Sequence, residues 1–122
     1  MSDKNLSTGK KGEDIAIAFL EDKGWLILDR NYSFMKKELD IVGSTDREIV
    51  FVEVKTRSNS NFGEPEDALT DQKKRNLIET AQAWLHERKL EGAPVRFDVI
   101  AIIAPGSKKQ KIRHHEGAFW YL

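Results

Sequence analysis

The chain has no cysteine, which excludes disulfide frameworks, thiolate metal sites and cysteine nucleophiles. It has no apolar run near the ~20 residues that a membrane-spanning helix needs. Met1-Ser2-Asp3-Lys4-Asn5 places charges with no apolar stretch behind them, unlike a secretory signal. A cytoplasmic protein is the expectation. Net charge is also lacking, because 20 basic residues balance 20 acidic ones. That balance argues against a protein that coats nucleic acid indiscriminately, but leaves room for local basic surfaces. Lys108, Lys109, Lys111 and Arg113 lie in a stretch with no acid, and Lys73, Lys74 and Arg75 form a second basic cluster. Glu64, Glu66, Asp67 and Asp71 form an acidic one.

At 122 residues the chain can bury one hydrophobic core, and residues 1–122 read as a single domain. Residues 1–8 read as a polar tail. From Gly9 to Gly24, Ile15, Ala16, Phe19 and Leu20 recur at helical spacing, and Gly24 supplies a stop. Trp25 to Phe34 reads as a strand. Glu38–Gly43 and Ile49–Thr56 are the clearest strands, joined by a polar turn. Ser58 to Leu69 is a long polar loop with Gly63 and Pro65. Thr70 can cap a helix from Asp71 to about Leu90, whose apolar stripe is Leu77, Ile78, Ala81, Trp84 and Leu85, with Gly92 and Pro94 ending it. Val95–Ala104 and Lys111–His115 complete the strands, with Phe119, Trp120 and Tyr121 packing near the last. The order predicts an α/β fold in which a central mixed sheet is flanked by helices.

The chemistry concentrates in the central hairpin. With the turn centred on Asp46-Arg47, Val42 opposes Phe51, Asp40 opposes Glu53 and Glu38 opposes Lys55. Alternation assigns Leu39, Ile41, Gly43, Val50, Val52 and Val54 to one buried face. The other face carries Val42, Ile49 and Phe51 near the turn, then Glu38, Asp40, Glu53 and Lys55. Two carboxylates directly opposite stand ~5 Å apart at Cβ and repel, so one takes up a proton or a cation sits between them. Hard oxygen donors suit Mg²⁺ or Mn²⁺. Two carboxylates and a lysine around a divalent ion are what metal-assisted phosphodiester hydrolysis requires. The same residues also fit a plain salt-bridged pair of strands, with Lys55 joined to Asp40 or Glu53 and Glu38 to Arg57. Glu13 points inward from the first helix; it either reaches this site or complements the helix dipole. Asp98 is placed near the core and expected to meet an arginine. His114 and His115 are adjacent on a strand and cannot readily serve one site.

The runs Glu38-Leu39-Asp40-Ile41-Val42 and Phe51-Val52-Glu53-Val54-Lys55-Thr56-Arg57 resemble the signature of the YraN-like family of bacterial endonuclease-like proteins. Gly12-Glu13-Asp14-Ile15-Ala16, Arg30-Asn31-Tyr32, Phe62-Gly63, Lys73-Lys74-Arg75 and Arg96-Phe97-Asp98-Val99 follow the same pattern in order. That family is similar to archaeal Holliday-junction resolvases, with a restriction-endonuclease-like fold. The resemblance implies a Mg²⁺- or Mn²⁺-dependent endonuclease acting on DNA, branched DNA included, in recombination or repair. It implies that Asp40, Glu53 and the Val54 carbonyl hold the metal, and that Glu13 and Lys55 join them in catalysis. Lys37 stands where the family usually has glycine. Phosphate contacts are expected from Lys10, Lys11, Lys37, Arg57, Lys73 and Arg75, and analogy with resolvases suggests a homodimer. The alternatives are a nucleic-acid-binding module without catalysis, and a structural or protein-interaction domain.

Overall fold

In the computed structural model, residues 4–59, 64 and 69–120 are described, with side chains from Gly9 onward. Phe62-Gly63, Pro65, Glu66, Asp67 and Tyr121, singled out above, lie outside the described residues, as does most of the 58–69 loop. The elements run α1 (Lys4–Asp22), β1 (Leu26–Phe34), β2 (Lys37–Ser44), β3 (Ile49–Arg57), α2 (Asp71–Glu87), β4 (Val95–Ile103) and β5 (Lys111–Phe119). One five-stranded sheet carries them in the order β1-β2-β3-β4-β5. Among the described strands only β3 and β4 pair in parallel; the other neighbours are antiparallel. A parallel pair needs a long crossover, and α2 provides it. The expected mixed sheet flanked by helices is what the structure shows.

The two helices cover opposite faces. Ala16 and Leu20 of α1 bury Ile41, Val50, Val52, Ile100 and Ile102 together with Trp25. Leu77, Ile78, Ala81, Trp84 and Leu85 of α2 bury Val42, Phe51, Phe97, Val99 and Phe119. On this second face Phe51 stacks on Phe97 and Phe97 on Phe119, with ring centroids 5.5 and 5.0 Å apart, while Trp84 meets Phe51 edge-on. Such ring pairs add to the burial energy.

The helix ends follow local chemistry. Gly24 has φ +91°; the Trp25 N–H donates to the Leu20 carbonyl at 3.1 Å and the Gly24 N–H to Glu21 at 2.9 Å. This is a Schellman stop, and the accompanying apolar contact is Trp25 on Leu20. Thr70 caps α2 by accepting the Lys73 N–H at 3.1 Å.

Four expectations need correction. The helix α1 begins at Lys4 rather than Gly9, so residues 4–8 of the expected polar tail are helical. The helix α2 ends at Glu87, because Lys89, already left-handed (φ 57°) ahead of Gly92 (φ +88°), closes it with the Lys89 and Leu90 N–H groups donating to the His86 and Leu85 carbonyls. Leu39 packs with the α2 face and not beside Ile41. The alternation breaks at Asp40, opposite Asn31, whose φ is +53°; Arg30 pairs with Ile41 and Tyr32 with Leu39 on either side of that point. The break turns Asp40 out of simple up-down order. The last strand also runs on to Phe119, which is buried, whereas Trp120 is exposed.

Candidate metal centre

The β2–β3 turn sets the register of the site. Thr45 Oγ1 accepts the N–H groups of Arg47 and Glu48 at 3.1 and 3.2 Å, and the Thr45 N–H donates to the Glu48 carbonyl at 3.0 Å. The ladder then pairs Ser44 with Ile49 and Val42 with Phe51 in the register the sequence predicts, but it ends at Ile41 opposite Val52, so the expected pairs of Asp40 with Glu53 and Glu38 with Lys55 do not form. Beyond Ile41 and Val52 no further pair joins these strands. The Val54 N–H, left without a backbone partner on β2, donates to Asp40 Oδ2 at 2.7 Å. Asp40 therefore lies in the fork between the strands. A strand residue's N–H and C=O point to the same edge, so the Val54 carbonyl opens into that fork too.

Glu53 is buried, with its side chain 5 % exposed, and its Oε2 lies 3.5 Å from Lys55 Nζ and 3.4 Å from Lys73 Nζ. Lys73 comes from the first turn of α2, so both faces contribute to the site. From α1, Glu13 approaches Arg30 Nη2 at 3.7 Å, while the same nitrogen bonds Asp14 Oδ1 at 2.6 Å. Gly12 lets α1 come this close: a Cβ there would fall 2.2 Å from Thr56 Oγ1 on β3. Carboxylate oxygens of Glu13, Glu38 and Asp40 lie within 4.8 Å of one another.

This crowding shifts protonation. Burial, with the adjoining Glu53 carboxyl next, raises Asp40 from 3.8 to about 9, outweighing the Val54 N–H. Burial also raises Glu13, against the Arg30 guanidinium and a hydrogen bond with Asn31, with Glu38 and Asp14 adding repulsion. A crowded, half-buried group of like charges is costly unless protons or a cation balance it. The donors are all oxygens, the set that hard divalent cations take. The residues present thus fit a Mg²⁺- or Mn²⁺-type ion.

The structure therefore brings together Glu13, Asp40, Glu53, Lys55 and Lys73. Sequence reasoning missed Glu38 as a converging acid, although its position two residues before Asp40 was a usable signal. It also missed that Lys73 reaches Glu53, a contact between distant segments. The other expected phosphate contacts are scattered. Lys37 ion-pairs with Glu79 of α2, and Arg75 donates to Gln72 at 3.0 Å. Arg57 is exposed and donates to the Thr56 carbonyl at 2.9 Å, not to Glu38. Lys10 and Lys11 are exposed on α1.

A second charged group lies elsewhere on the α1 face. Asp98, fully buried, accepts from Arg96 Nε and Nη2 at 2.8 and 2.9 Å and from the Gly117 N–H at 3.0 Å, and pairs with His114 Nε2 at 2.7 Å. Burial alone would raise Asp98, but the hydrogen bonds from His114, Arg96 and Gly117 hold it below the ordinary range. Arg96 also reaches Glu48 at 3.0 Å, and Lys23 Nζ lies 2.9 Å from His114 Nδ1. The expected arginine partner is thus Arg96. The group braces the irregular β4–β5 register between Phe97 and Val99.

Comparison with known proteins adds kinship. The model of "Uncharacterised protein family UPF0102" matches residues 12–102. A UPF0102 protein of Phocaeicola vulgatus is 47% identical over 113 residues, covering 92% of this chain and 91% of that protein. A UPF0102 protein of Chloroherpeton thalassium is 46% identical over 105 residues, covering 86% and 81%. One of Geobacter metallireducens is 42% identical over 119 residues, covering 98% and 97%. These names state no activity.

Proposed function

The chain belongs to the UPF0102, or YraN-like, family, and we propose that it is a divalent-metal-dependent nuclease hydrolysing phosphodiester bonds in DNA, branched DNA included. The observation that carries this reading is the fork in which Asp40 and Glu53 meet beside Lys55, with Glu13 and Glu38 converging from α1 and β2. Asp40, Glu53 and the Val54 carbonyl would hold Mg²⁺ or Mn²⁺, with Glu13 and Glu38 completing the charge. When bound, such an ion supplies Lewis acidity and makes water a better nucleophile.

The chain's own residues do the rest. Lys55 places a positive charge beside the fork, where it orients the attacking water and offsets negative charge developing on the phosphate. Glu13 accepts a hydrogen bond from that water and aligns it. Asp40 is fixed in place by the Val54 N–H, so the donor set is arranged before any ligand arrives. Lys10, Lys11 and Arg57 hold the sugar-phosphate backbone.

The test is thermal melting with millimolar Mn²⁺ or Mg²⁺, followed by a cleavage screen over duplex, nicked and four-way-junction DNA. Any ligand that binds only the native state raises the melting temperature. The wild-type protein is expected to melt higher with metal, and Glu53→Ala to lose the shift together with cleavage. A wild-type protein indifferent to millimolar Mn²⁺ would overturn the proposal.

One observation favours a second reading, a module that binds nucleic acid without cutting it. Lys55 and Lys73 both lie within 3.5 Å of Glu53 and already counter its charge. On that reading DNA affinity survives chelation and Asp40→Asn unchanged, and no metal-dependent product forms.

A further inference from the structure

We propose that the β4–β5 turn, with Lys11 of α1 and Arg57 at the end of β3, is a preformed basic ledge that carries the nucleic-acid backbone to the metal centre. The inference deepens the nuclease reading and rests on nucleic acid being the substrate.

Three segments meet at this end of the sheet. The Lys11 side chain lies over Gly106, whose missing Cβ would stand 2.8 Å from Lys11 Nζ. The Ala104 N–H donates to the Arg57 carbonyl at 2.8 Å, tying the turn to the end of β3. Gly12, next to Lys11, abuts Thr56, next to Arg57. Glu13 follows Gly12 and Lys55 precedes Thr56, so the ledge runs directly into the candidate centre.

The turn is braced from within. Ser107 Oγ donates to the Ala104 carbonyl at 2.9 Å and accepts the Lys109 N–H at 3.0 Å. The Gly106 N–H donates to Gln110 Oε1 at 2.6 Å. Lys108, Lys109 and Lys111 are exposed around this frame, and residues 104–111 contain no acid. Among the described residues no carboxylate ion-pairs with Lys11, Arg57, Lys108, Lys109 or Lys111; two acids nearby in sequence are engaged elsewhere, Asp14 by Arg30 and Glu64 by Arg113. The cations on the other flank differ: Lys37 is held by Glu79 and Lys73 by Glu53. In a chain of zero net charge, cations with no carboxylate partner among the described residues, gathered on a fixed turn beside an acidic fork, suit a polyanion's regularly spaced phosphates, whose contacts position without reading sequence.

The experiment measures binding of a fluorescent DNA duplex by anisotropy in EDTA across a salt series. It compares wild type, Lys108→Glu/Lys109→Glu, the milder Lys108→Gln/Lys109→Gln, and Arg47→Glu on the β2–β3 turn. Each phosphate contact contributes about 0.9 to the slope of log affinity against log salt. The glutamate pair is expected to weaken binding about tenfold or more and to flatten the slope by about 2. The glutamine pair falls between, and Arg47→Glu stays near wild type. The melting shift with Mn²⁺ is read on the same proteins and should survive in all of them, showing the fork intact. A glutamate pair that binds within about twofold of wild type with the same slope overturns the ledge, as does a wild type with no salt-dependent DNA affinity. If the ledge variants lose binding while wild type ignores Mn²⁺ and cuts nothing, the nuclease reading fails and the ledge stands. If cleavage and the Mn²⁺ shift are present but the ledge variants bind normally, the reverse holds.

Discussion

Replacing Asp40 with asparagine tests the electrostatics of the fork without disturbing its shape. Asparagine keeps an oxygen to accept the Val54 N–H and is neutral beside Glu53, Glu13 and Glu38 without having to take up a proton. The magnitude follows from the raised pKa. A carboxyl that titrates at 3.8 when free and about 9 in the fold keeps its proton in the native state long after the unfolded chain has released it. Stability from this group is therefore complete below about pH 4, declines as pH rises, and levels off above about pH 9. At pH 7 the interval from 3.8 is about three units, which at about 1.4 kcal/mol per unit caps the cost near 4 kcal/mol. Water entry and relaxation of the neighbouring acids reduce it to about 1–3 kcal/mol. Asp40→Asn should then raise the melting temperature in metal-free buffer at pH 7–8 by roughly 3–15 °C, and by almost nothing at pH 4. Differential scanning calorimetry in EDTA at both pH values measures this. With Mn²⁺ added, wild type should gain stability and the variant should not. A variant that melts lower than wild type at pH 8, or gains equally at both pH values, would refute the reasoning.

Three further expectations follow from named contacts. Gly12→Ala should destabilise by about 1–3 kcal/mol despite the better helix propensity of alanine, because Thr56 Oγ1, Cγ2 and Cβ all lie within 3.1 Å of the added methyl position; denaturant melts of Gly12→Ala, Thr56→Ala and the double variant should show partial rescue in the pair. Asp98→Asn should cost about 2–4 kcal/mol by leaving the half-buried Arg96 without its main carboxylate partner, measured by urea unfolding. Since Asp98 titrates below its ordinary value, its contribution is present above about pH 4 and lost as pH falls through the depressed value, so the gap between wild type and Asp98→Asn should narrow in acid. Lys73→Met should enlarge the Mn²⁺-induced melting shift, because the ammonium 3.4 Å from Glu53 repels an arriving cation; a smaller shift would count against it.

Much of this architecture is legible in the chain because the signals are local. Thr45 and the polar pair Asp46-Arg47 fix the hairpin, so the pairing of Val42 with Phe51 could be counted outward from the turn. The stripe from Leu77 to Leu85 identifies the core side of α2 through its period. What escapes the sequence depends on distant partners or on broken periodicity. Leu39 changes faces because Asn31 and Asp40 interrupt the alternation, and no pattern in β2 announces a left-handed residue in β1. Lys73 looks like a surface cation until α2 is laid against β3. Lys37 likewise has no visible partner until Glu79 arrives beside it. Asp98 shows only as a polar residue in an apolar strand; its tie to His114 needs the β4–β5 register. Lys4 to Thr8 lack apolar periodicity, so the true start of α1 leaves no hydrophobic trace.

The lone parallel pairing has a kinetic consequence. Strands β1, β2 and β3 are sequence neighbours joined by short turns, and can zip together through cheap local loop closures. The β3–β4 seam joins Ile49 to Val95 and must wait for the intervening segment to close a far larger loop, the kind of step that sets folding speed. On this order Asp40 and Glu53 would be assembled by an early meander, and Lys73 would arrive with the later crossover. During that interval the two acids face each other without their ammonium neighbour from α2, and mild acid or a divalent ion should shorten refolding by relieving the repulsion at that stage.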